Sequence, residues 1–418
     1  MRGVHDYLPE ELQIWNKTEK ILKKIFKNYG YVEIRLPIIE KTKLFYKSIG
    51  NVTDIIEKEM YTFLDKNKKN ITLRPEGTAS CSRAFIENNL SKDIKQRFWY
   101  FGPMFRYERP QNGRYRQFYQ FGCEVYGLNT PEIDIELIIL LNRCWKKLKI
   151  ENYIFLEINS IGNIESRENY KIDLIKFFIL NKKKLDNNSK KRLYTNPLRI
   201  LDSKNKKIQN LIKKAPILFN YLDKNSKKNF NYICKFLKKL KISYKINTRL
   251  IRGLDYYNDT VFEWKIKNKK FLSQNTVCAG GRYDKLIDTL GGSPIPALGF
   301  AIGMERLISI INEKKKNKKI ILSVDIYIIS NFNKKNIDHI KISEKIRNFF
   351  NKLYIVQDFN IGSIKKKLIR AKKFNSKIII IINNKKNIQI KHFNSFAIHK
   401  ISFNKIINYL KIYFKKNK

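Results

Sequence analysis

The sequence predicts an α+β fold that carries a helical insertion and a C-terminal α/β domain, and three observations lead to that expectation. Two aromatic-rich strand candidates, Arg97–Arg106 and Gln117–Tyr126, flank the polar, glycine-containing segment Glu108–Arg116, the pattern of a long antiparallel hairpin. Between about Arg167 and Lys241 the chain loses its glycines, fills with lysine and asparagine, and is patterned mainly as helix. After the charged run NEKKKNKK at Asn312–Lys319, strand and helix alternate as in a small α/β domain.

The elements follow in chain order. Leu12, Trp15, Leu22, Ile25, Phe26 and Tyr29 recur at helical spacing, with Pro9, Glu10 and Glu11 suited to a helix start and Gly30 to its stop. A strand ending at Pro37 comes next, then the hairpin, then a helix over Asp134–Leu148. Glycine-rich signals resume at Gly253. Past the break, strands are expected at Val324–Ile329, Tyr354–Asp358 and Lys377–Ile382, with helices at Ile337–Phe350 and Ser363–Phe374. From Asn384 onward the domain reads as abbreviated and lysine-rich, and no internal repeat is visible. The expected division is 1–166, an insertion 167–241, a second core segment 242–312, a linker 313–319 and a last domain 320–418.

Composition bounds the function. A chain of 418 residues with 43% hydrophobic and 13% aromatic residues is long enough for two domains and belongs with globular proteins, not disordered ones. Arg2, Gly3, His5, Asp6 and Pro9 directly after Met1 exclude the apolar core of a secretion signal. No apolar run reaches the roughly 18 residues of a membrane span. A soluble, cytoplasmic protein with no membrane partner is therefore expected. Cys81, Cys123, Cys144, Cys234 and Cys278 are scattered without a C-x-x-C pair, and His5, His339, His392 and His399 form no cluster in sequence. No structural metal is expected.

The net charge of +49 attracts polyphosphates, or else records a compositional bias, since most of the excess is lysine interspersed with asparagine and isoleucine. Arginine discriminates better, because its planar fork matches phosphate geometry. The arginines gather at Arg97, Arg106, Arg109, Arg114 and Arg116, and again near glycines at Arg249, Arg252, Arg282 and Arg306.

Period-two alternation in the second hairpin strand puts Gln120, Gly122 and Glu124 on one face and Tyr119, Phe121, Cys123 and Val125 on the other. The first set is either a polar floor, with room over Gly122 for a small ligand, or a solvent-facing strand. RGLDYY at 252–257 and AGGRY at 279–283 are either tight turns with incidental charges or places where backbone approaches a ligand. The chain has neither a G-x-x-x-x-G-K-[ST] loop nor a dinucleotide-type glycine motif, so a nucleotide site would have to use side-chain arginines. Gly299 and Gly303 read as a helix-packing GxxxG.

The segments RPEGTAS (74–80), GPMFRYERPQNGRYRQFYQFGCEVYG (102–127), RGLDYY (252–257), AGGRYDKL (279–286) and PALGFAIGMERL (296–307) resemble, in order and spacing, the motifs of class II histidyl-tRNA synthetases. RGVHDYLPEE at the start and GYVEIRLP (30–37) resemble that family's N-terminus and its dimer-forming first motif. The likeness covers most of 1–165 and 245–312; the insertion and the last domain match in pattern and position only.

The resemblance implies an antiparallel sheet flanked by helices, a homodimer, and ATP-dependent activation of L-histidine followed by its transfer to tRNA(His). It implies that Arg106 holds the α-phosphate of ATP, Arg306 the γ-phosphate, and Arg252 both the α-phosphate and the substrate carboxylate, with Glu108 and Arg114 also on the nucleotide. Mg2+ is expected with ATP. Glu124 and Tyr257 would grip the imidazole, which offers one donor and one acceptor. Glu76, Thr78 and Gln120 would bind the α-amino group, Tyr256 would line the same pocket, and Gly280 and Gly281 would close over the substrate. Arg109 and Gln111 would read the tRNA acceptor end, and the domain after residue 320 would bind the anticodon stem-loop. The family commonly has histidine where Tyr119 stands, a departure that bears on any proton-relay role there.

Two other readings compete. A catalytically silent paralogue serves as the regulatory subunit of ATP phosphoribosyltransferase, but it typically lacks the last domain and degrades the motif arginines that this chain retains. A general basic RNA-binding protein explains the charge and leaves the ordered glycine, arginine and tyrosine motifs unexplained.

Overall fold

The structure is a computed structural model that describes residues 1–50, 53–90, 96–203, 205–267, 275–314, 323–331, 337–384, 387–392 and 398–416. The chain divides into two compact units, Met1–Lys318 and Lys319–Lys418. Of the expected linker 313–319, residues 315–319 lie outside the described residues.

In the first unit, helix α1 (Pro9–Asn28) starts with proline and two acidic residues, which complement the positive end of its dipole, and buries Trp15, Leu22, Ile25 and Phe26 along one face. Gly30 takes the left-handed φ of +78° that ends it. Strand β1 (Val32–Glu33) is followed by a small antiparallel sheet of β2 (Ile39–Lys41), β3 (Tyr61–Leu64) and β4 (Asn70–Leu73), with helices α2 (Thr42–Ile49) and α3 (Thr78–Glu87) beside it. The expected hairpin is β5 (Gln96–Phe105) and β6 (Gln117–Tyr126), antiparallel with Gln96 opposite Tyr126 and Phe105 opposite Gln117. Helix α4 (Pro131–Leu148) and strand β7 (Ile154–Ser160) lead into α5 (Ile164–Leu180), α6 (Asn187–Thr195), α7 (Lys206–Ile212) and α8 (Lys224–Lys239). The chain returns through β8 (Tyr244–Ile246), β9 (Asn258–Ile266), β10 (Thr276–Arg282), the short α9 (Leu286–Thr289), β11 (Ala297–Gly303) and α10 (Met304–Lys314).

The main sheet has the order β1-β5-β6-β11-β10-β9-β7-β8, antiparallel inside and parallel at its two outer pairs. Gly299 and Gly303 belong to β11, so the GxxxG spacing is a strand pattern, not helix packing. A Cβ on Gly299 would sit 1.8 Å from a Glu124 carboxylate oxygen, which is the reason for glycine there.

Both faces of β6 are covered. Phe26 of α1 packs on Trp99 and Phe121 on one side, while Glu124 on the other side is fully buried, which removes the solvent-facing alternative. The space over Gly122 is not open: the Tyr100 ring fills it, wedged between Gly122 and Gly77, where added Cβ atoms would lie 2.0 and 2.2 Å from the ring. Gly122→Ala should therefore cost about 1–3 kcal/mol through overpacking, read as a lower urea midpoint at an unchanged m-value.

Two of the glycine-adjacent arginines are structural. Arg282, buried, donates to Asp134 at 2.6–3.1 Å and to the Thr130 carbonyl at 2.7 Å, tying β10 to α4. Arg249 donates to the carbonyls of Ala215 and Pro216, fastening the helical segment to the sheet.

The second unit has the sheet order β13-β12-β14-β15-β16, built from β12 (Ile326–Ser330), β13 (Ile355–Asp358), β14 (Ile378–Ile382), β15 (Ile388–His392) and β16 (Ile398–Ile401). Its first three strands are parallel and the rest antiparallel. Helices α11 (Asp338–Phe349) and α12 (Ile364–Lys373) fall where strand and helix alternate in the sequence. The stretch from Asn384 onward is more complete than its composition suggests: β15, β16 and the 14-residue helix α13 (Phe403–Lys416) occupy it, with Ile406 and Leu410 fully buried. His392 and His399, far apart as a sequence pattern, face each other across β15 and β16 with ring centroids 5.8 Å apart, and His392 is hydrogen-bonded to Tyr409.

Candidate active site

One cavity of about 280 Å3 in the first unit is lined by residues from the N-terminus of α3, the segment that joins the hairpin strands, the start of β6, the loop before β9, β9 itself, β10, β11 and the start of α10. It gathers Glu76, Thr78, Arg106, Glu108, Arg114, Gln120, Arg252, Tyr256, Tyr257 and Arg306. These come from segments up to 230 residues apart, brought together because β6, β11, β10 and β9 are adjacent in the sheet.

The cations occupy two parts of the wall. In one, Arg106 donates to the Pro75 carbonyl at 2.9 Å and lies over Phe118, and Arg114 pairs with Glu108 at 2.7 Å. Arg306 donates to the carbonyls of Gly113 and Thr276 at 3.0 and 2.6 Å; burial depresses its pKa, and Arg106 and Arg114 press the same way while Glu108 opposes them. Arg106, Arg114 and Arg306 thus form a cationic part of the wall, with Glu108 and Glu305 beside them.

In the other part, Arg252 donates to Glu263 and lies 5.4 Å over the Tyr257 ring. Among the described residues its Nε, buried, has no hydrogen-bond partner, and neither has Gln120 Oε1. Buried polar atoms without partners are costly, and both belong to side chains that line this cavity. Glu263 is fixed in turn by Thr276 at 3.0 Å and Lys265 at 3.0 Å.

Between these parts lies a floor of carboxylates and hydroxyls. Glu76 accepts from the backbone N–H groups of Thr78 and Ala79 at 2.7 Å each, capping α3, and burial holds its pKa above the usual carboxylate value. Glu124 lies behind the lining: it accepts from Thr78 at 2.8 Å, from Tyr100 at 3.0 Å and from Tyr283. Burial pushes its carboxyl up to about 8 although all three hydroxyls pull it down. Glu305, on the wall beside Arg306, accepts from Tyr7 and from the Tyr119 backbone at 2.7 and 2.8 Å, and burial raises it to about 7.

Several sequence expectations shift. Gly280 and Gly281 do not line the cavity; a Cβ on Gly280 would meet the Gly299 carbonyl at 2.2 Å and one on Gly281 the Thr260 carbonyl at 2.4 Å, so close strand packing accounts for them. Arg109 and Gln111 lie outside the lining, in the segment that joins the hairpin strands, where Gln111 bridges Arg114. Tyr119 packs on Tyr7, Trp15 and Phe101 instead of facing the cavity. Residues that the sequence reading missed are Tyr100, Glu263, Tyr283 and Glu305; Tyr283 and Glu305 stood inside motifs already singled out, whereas Glu263 sits in an ordinary-looking strand.

The sequence matches the model of the histidyl-tRNA synthetase family over residues 3–165 and 179–307. It is 55% identical over 386 residues to the histidine–tRNA ligase of Buchnera aphidicola subsp. Schizaphis graminum, covering 91% of this chain and 89% of the relative. In three dimensions it is similar to the apo histidyl-tRNA synthetase of S. aureus, with TM-score 0.81, 31% identity and coverage of 98% and 99% of the two chains. A protein from Bacillus halodurans described as an ATP phosphoribosyltransferase regulatory subunit/histidyl-tRNA synthetase shares the fold at TM-score 0.65 and 19% identity, over 92% and 98% of the chains. Motif arginines that converge on one cavity and a match along most of the sequence lead to the same conclusion: the chain belongs to the histidyl-tRNA synthetase family.

Proposed function

We infer that the chain is an aminoacyl-tRNA ligase that joins L-histidine to ATP, releasing pyrophosphate, and then transfers histidine from the adenylate to the 3′ end of tRNA(His). The observation that carries this is the meeting of Arg106, Arg114, Arg252 and Arg306 in one cavity with the hydroxyl and carboxylate floor of Glu76, Thr78 and Tyr256.

In the first step a carboxylate oxygen of histidine forms a bond to the α-phosphorus as the bond to the bridging oxygen breaks and pyrophosphate leaves. Negative charge grows on the leaving group, so fixed guanidiniums stabilise the transition state more than the ground state. Arg106 and Arg252 act at the α-phosphate, with Arg306 and Arg114 on the outer phosphates. Magnesium would neutralise charge on those outer phosphates, and Glu108 and Glu305 are cavity carboxylates near these arginines. Glu76 and Gln120 take the α-amino group, Gln120 through its partnerless Oε1. The imidazole approaches Glu124 past Thr78, the hydroxyl that separates Glu124 from the cavity, and Tyr257 meets the other side of the ring. An amino acid without that pattern leaves buried polar groups unpaired, which can reach about 10⁴-fold discrimination without editing.

The regulatory-subunit reading is not favoured, because the arginines that activation needs are intact and convergent. In the same reading the protein is a class II homodimer of the cytoplasm, the segment after the hairpin's first strand reaches the tRNA acceptor end through Arg109 and Gln111, and the second unit binds the anticodon stem-loop. No helix among the described residues is long and apolar enough to cross a membrane. The test is exchange of labelled pyrophosphate into ATP with each amino acid in turn. Exchange with histidine alone is the expected result; none from folded protein would overturn the assignment.

A further inference from the structure

The loop Arg252–Tyr257 supplies Arg252, Tyr256 and Tyr257 to the cavity yet has no helix or strand hydrogen bonds of its own. Its backbone groups must find partners elsewhere. Asp255 N–H donates to the Ile49 carbonyl at 3.1 Å. The carbonyls at the two ends of the turn are taken by arginines from outside the sheet: Arg199 donates to Gly253, and Arg167 donates to Tyr257 at 2.6 Å. Arg199 also stands 3.5 Å from the Asp255 carboxylate, which accepts from Asn196 Nδ2 at 3.2 Å.

Arg167 is on α5, Asn196 ends α6, and Arg199 lies in the short turn Pro197–Asp202, so all three belong to the helical segment between β7 and β8. Arg199 is only 7% exposed, a burial that a long cation does not adopt without partners. The same segment grips the opposite lip: Arg192 of α6 pairs with Asp54 at 2.8 Å, next to the cavity residue Ile55, and Asp202 lines the cavity itself. Behind the loop a second cavity, of about 370 Å3, separates it from bulk packing, so these side chains are a large part of what holds its back.

We propose that Arg199, with Arg167 and Asn196, is a positioning residue: the helical insertion braces the Arg252–Tyr257 loop from behind and thereby sets the affinity for histidine. The proposal rests on the ligase reading above. Arg106 and Arg306 stand outside the braced loop, with bonds to Pro75, Gly113 and Thr276. Loosening the brace must then act unequally on the two substrates: histidine loses Arg252, Tyr256 and Tyr257 together, whereas ATP loses Arg252 and keeps Arg106 and Arg306.

The experiment is pyrophosphate exchange with the full chain and its Arg199→Ala and Asn196→Ala variants, titrating each substrate separately, with thermal unfolding followed in parallel. Histidine-dependent exchange by the parent protein establishes the ligase reading independently of the variants. For Arg199→Ala the KM for histidine should rise about tenfold or more while the KM for ATP rises by roughly a third as much or less, and added guanidinium ion should recover part of the loss. Asn196→Ala should move the same parameter in the same direction by less, and it decides the matter if Arg199→Ala does not fold. A histidine KM within twofold of the parent in folded protein, or equal rises for both substrates, would overturn the proposal.

Discussion

Arg252→Ala should lower histidine-dependent pyrophosphate exchange by at least about a hundredfold, roughly 3 kcal/mol of transition-state stabilisation, in a protein that still folds. The loss is large because the guanidinium is held in one orientation. Glu263 takes one Nη, the Tyr257 ring lies under the fork at 5.4 Å, and Nε remains without a partner on the cavity wall. Folding survives because Glu263 is not abandoned: Lys265 at 3.0 Å and Thr276 at 3.0 Å still hold it, and Lys265 is balanced in turn by Glu157 at 2.8 Å. Arg252→Lys keeps the charge and loses the fork, so it should recover little of the rate. Glu263→Gln should cost about tenfold, since the amide keeps a hydrogen bond to Arg252 and gives up the charge. Steady-state exchange for the three variants, with unfolding curves beside them, separates these outcomes; activity in Arg252→Ala near that of the parent would place the α-phosphate contact elsewhere.

How much of this was legible in the sequence depends on whether a residue's role is local. The hairpin Arg97–Tyr126 could be read because alternation and aromatic strands state their own geometry. Arg106, Arg252 and Arg306 could be singled out because a lysine-saturated chain keeps arginine where a planar fork is needed. The partners of those arginines were not legible. Glu263 and Lys265 occupy alternate positions of an unremarkable strand, and only the pairing of β9 with β10 and β7 brings them to Arg252, Thr276 and Glu157. Likewise Gly122 signals that something lies close to the backbone, and the sequence does not say whether that is a ligand or the Tyr100 ring. The insertion is the clearest case. Its lysine and asparagine content hides Arg167, Asn196 and Arg199, whose bonds reach across 54 to 90 positions of sequence. The last strands and α13 went unrecognised for a different reason, because lysines on their exposed faces mask a buried isoleucine and leucine stripe.

Glu124→Gln should raise stability relative to the parent as the pH rises, while it lowers activity. The carboxyl of Glu124 is wholly buried, and desolvation lifts it to about 8 against an ordinary value of 4.5, despite hydrogen bonds from Tyr283, Thr78 and Tyr100. A raised acid holds its proton in the fold when the unfolded chain has already released it. Its stabilising contribution is therefore complete below about pH 4.5, falls as the pH rises, and is lost above about pH 8. For one group this amounts to on the order of 5 kcal/mol across the window. Glutamine at 124 has nothing to titrate, and Glu305, raised to about 7, is present in both proteins, so its contribution cancels in the difference. The gap in unfolding free energy between variant and parent, measured in urea at pH 5, 7 and 9, should widen steadily in favour of glutamine. A gap that stays flat would mean that Glu124 ionises normally and is not enclosed by the three hydroxyls. The activity should move the other way, with the KM for histidine rising about tenfold or more, because an amide turns an N–H group toward a pocket whose substrate also presents one.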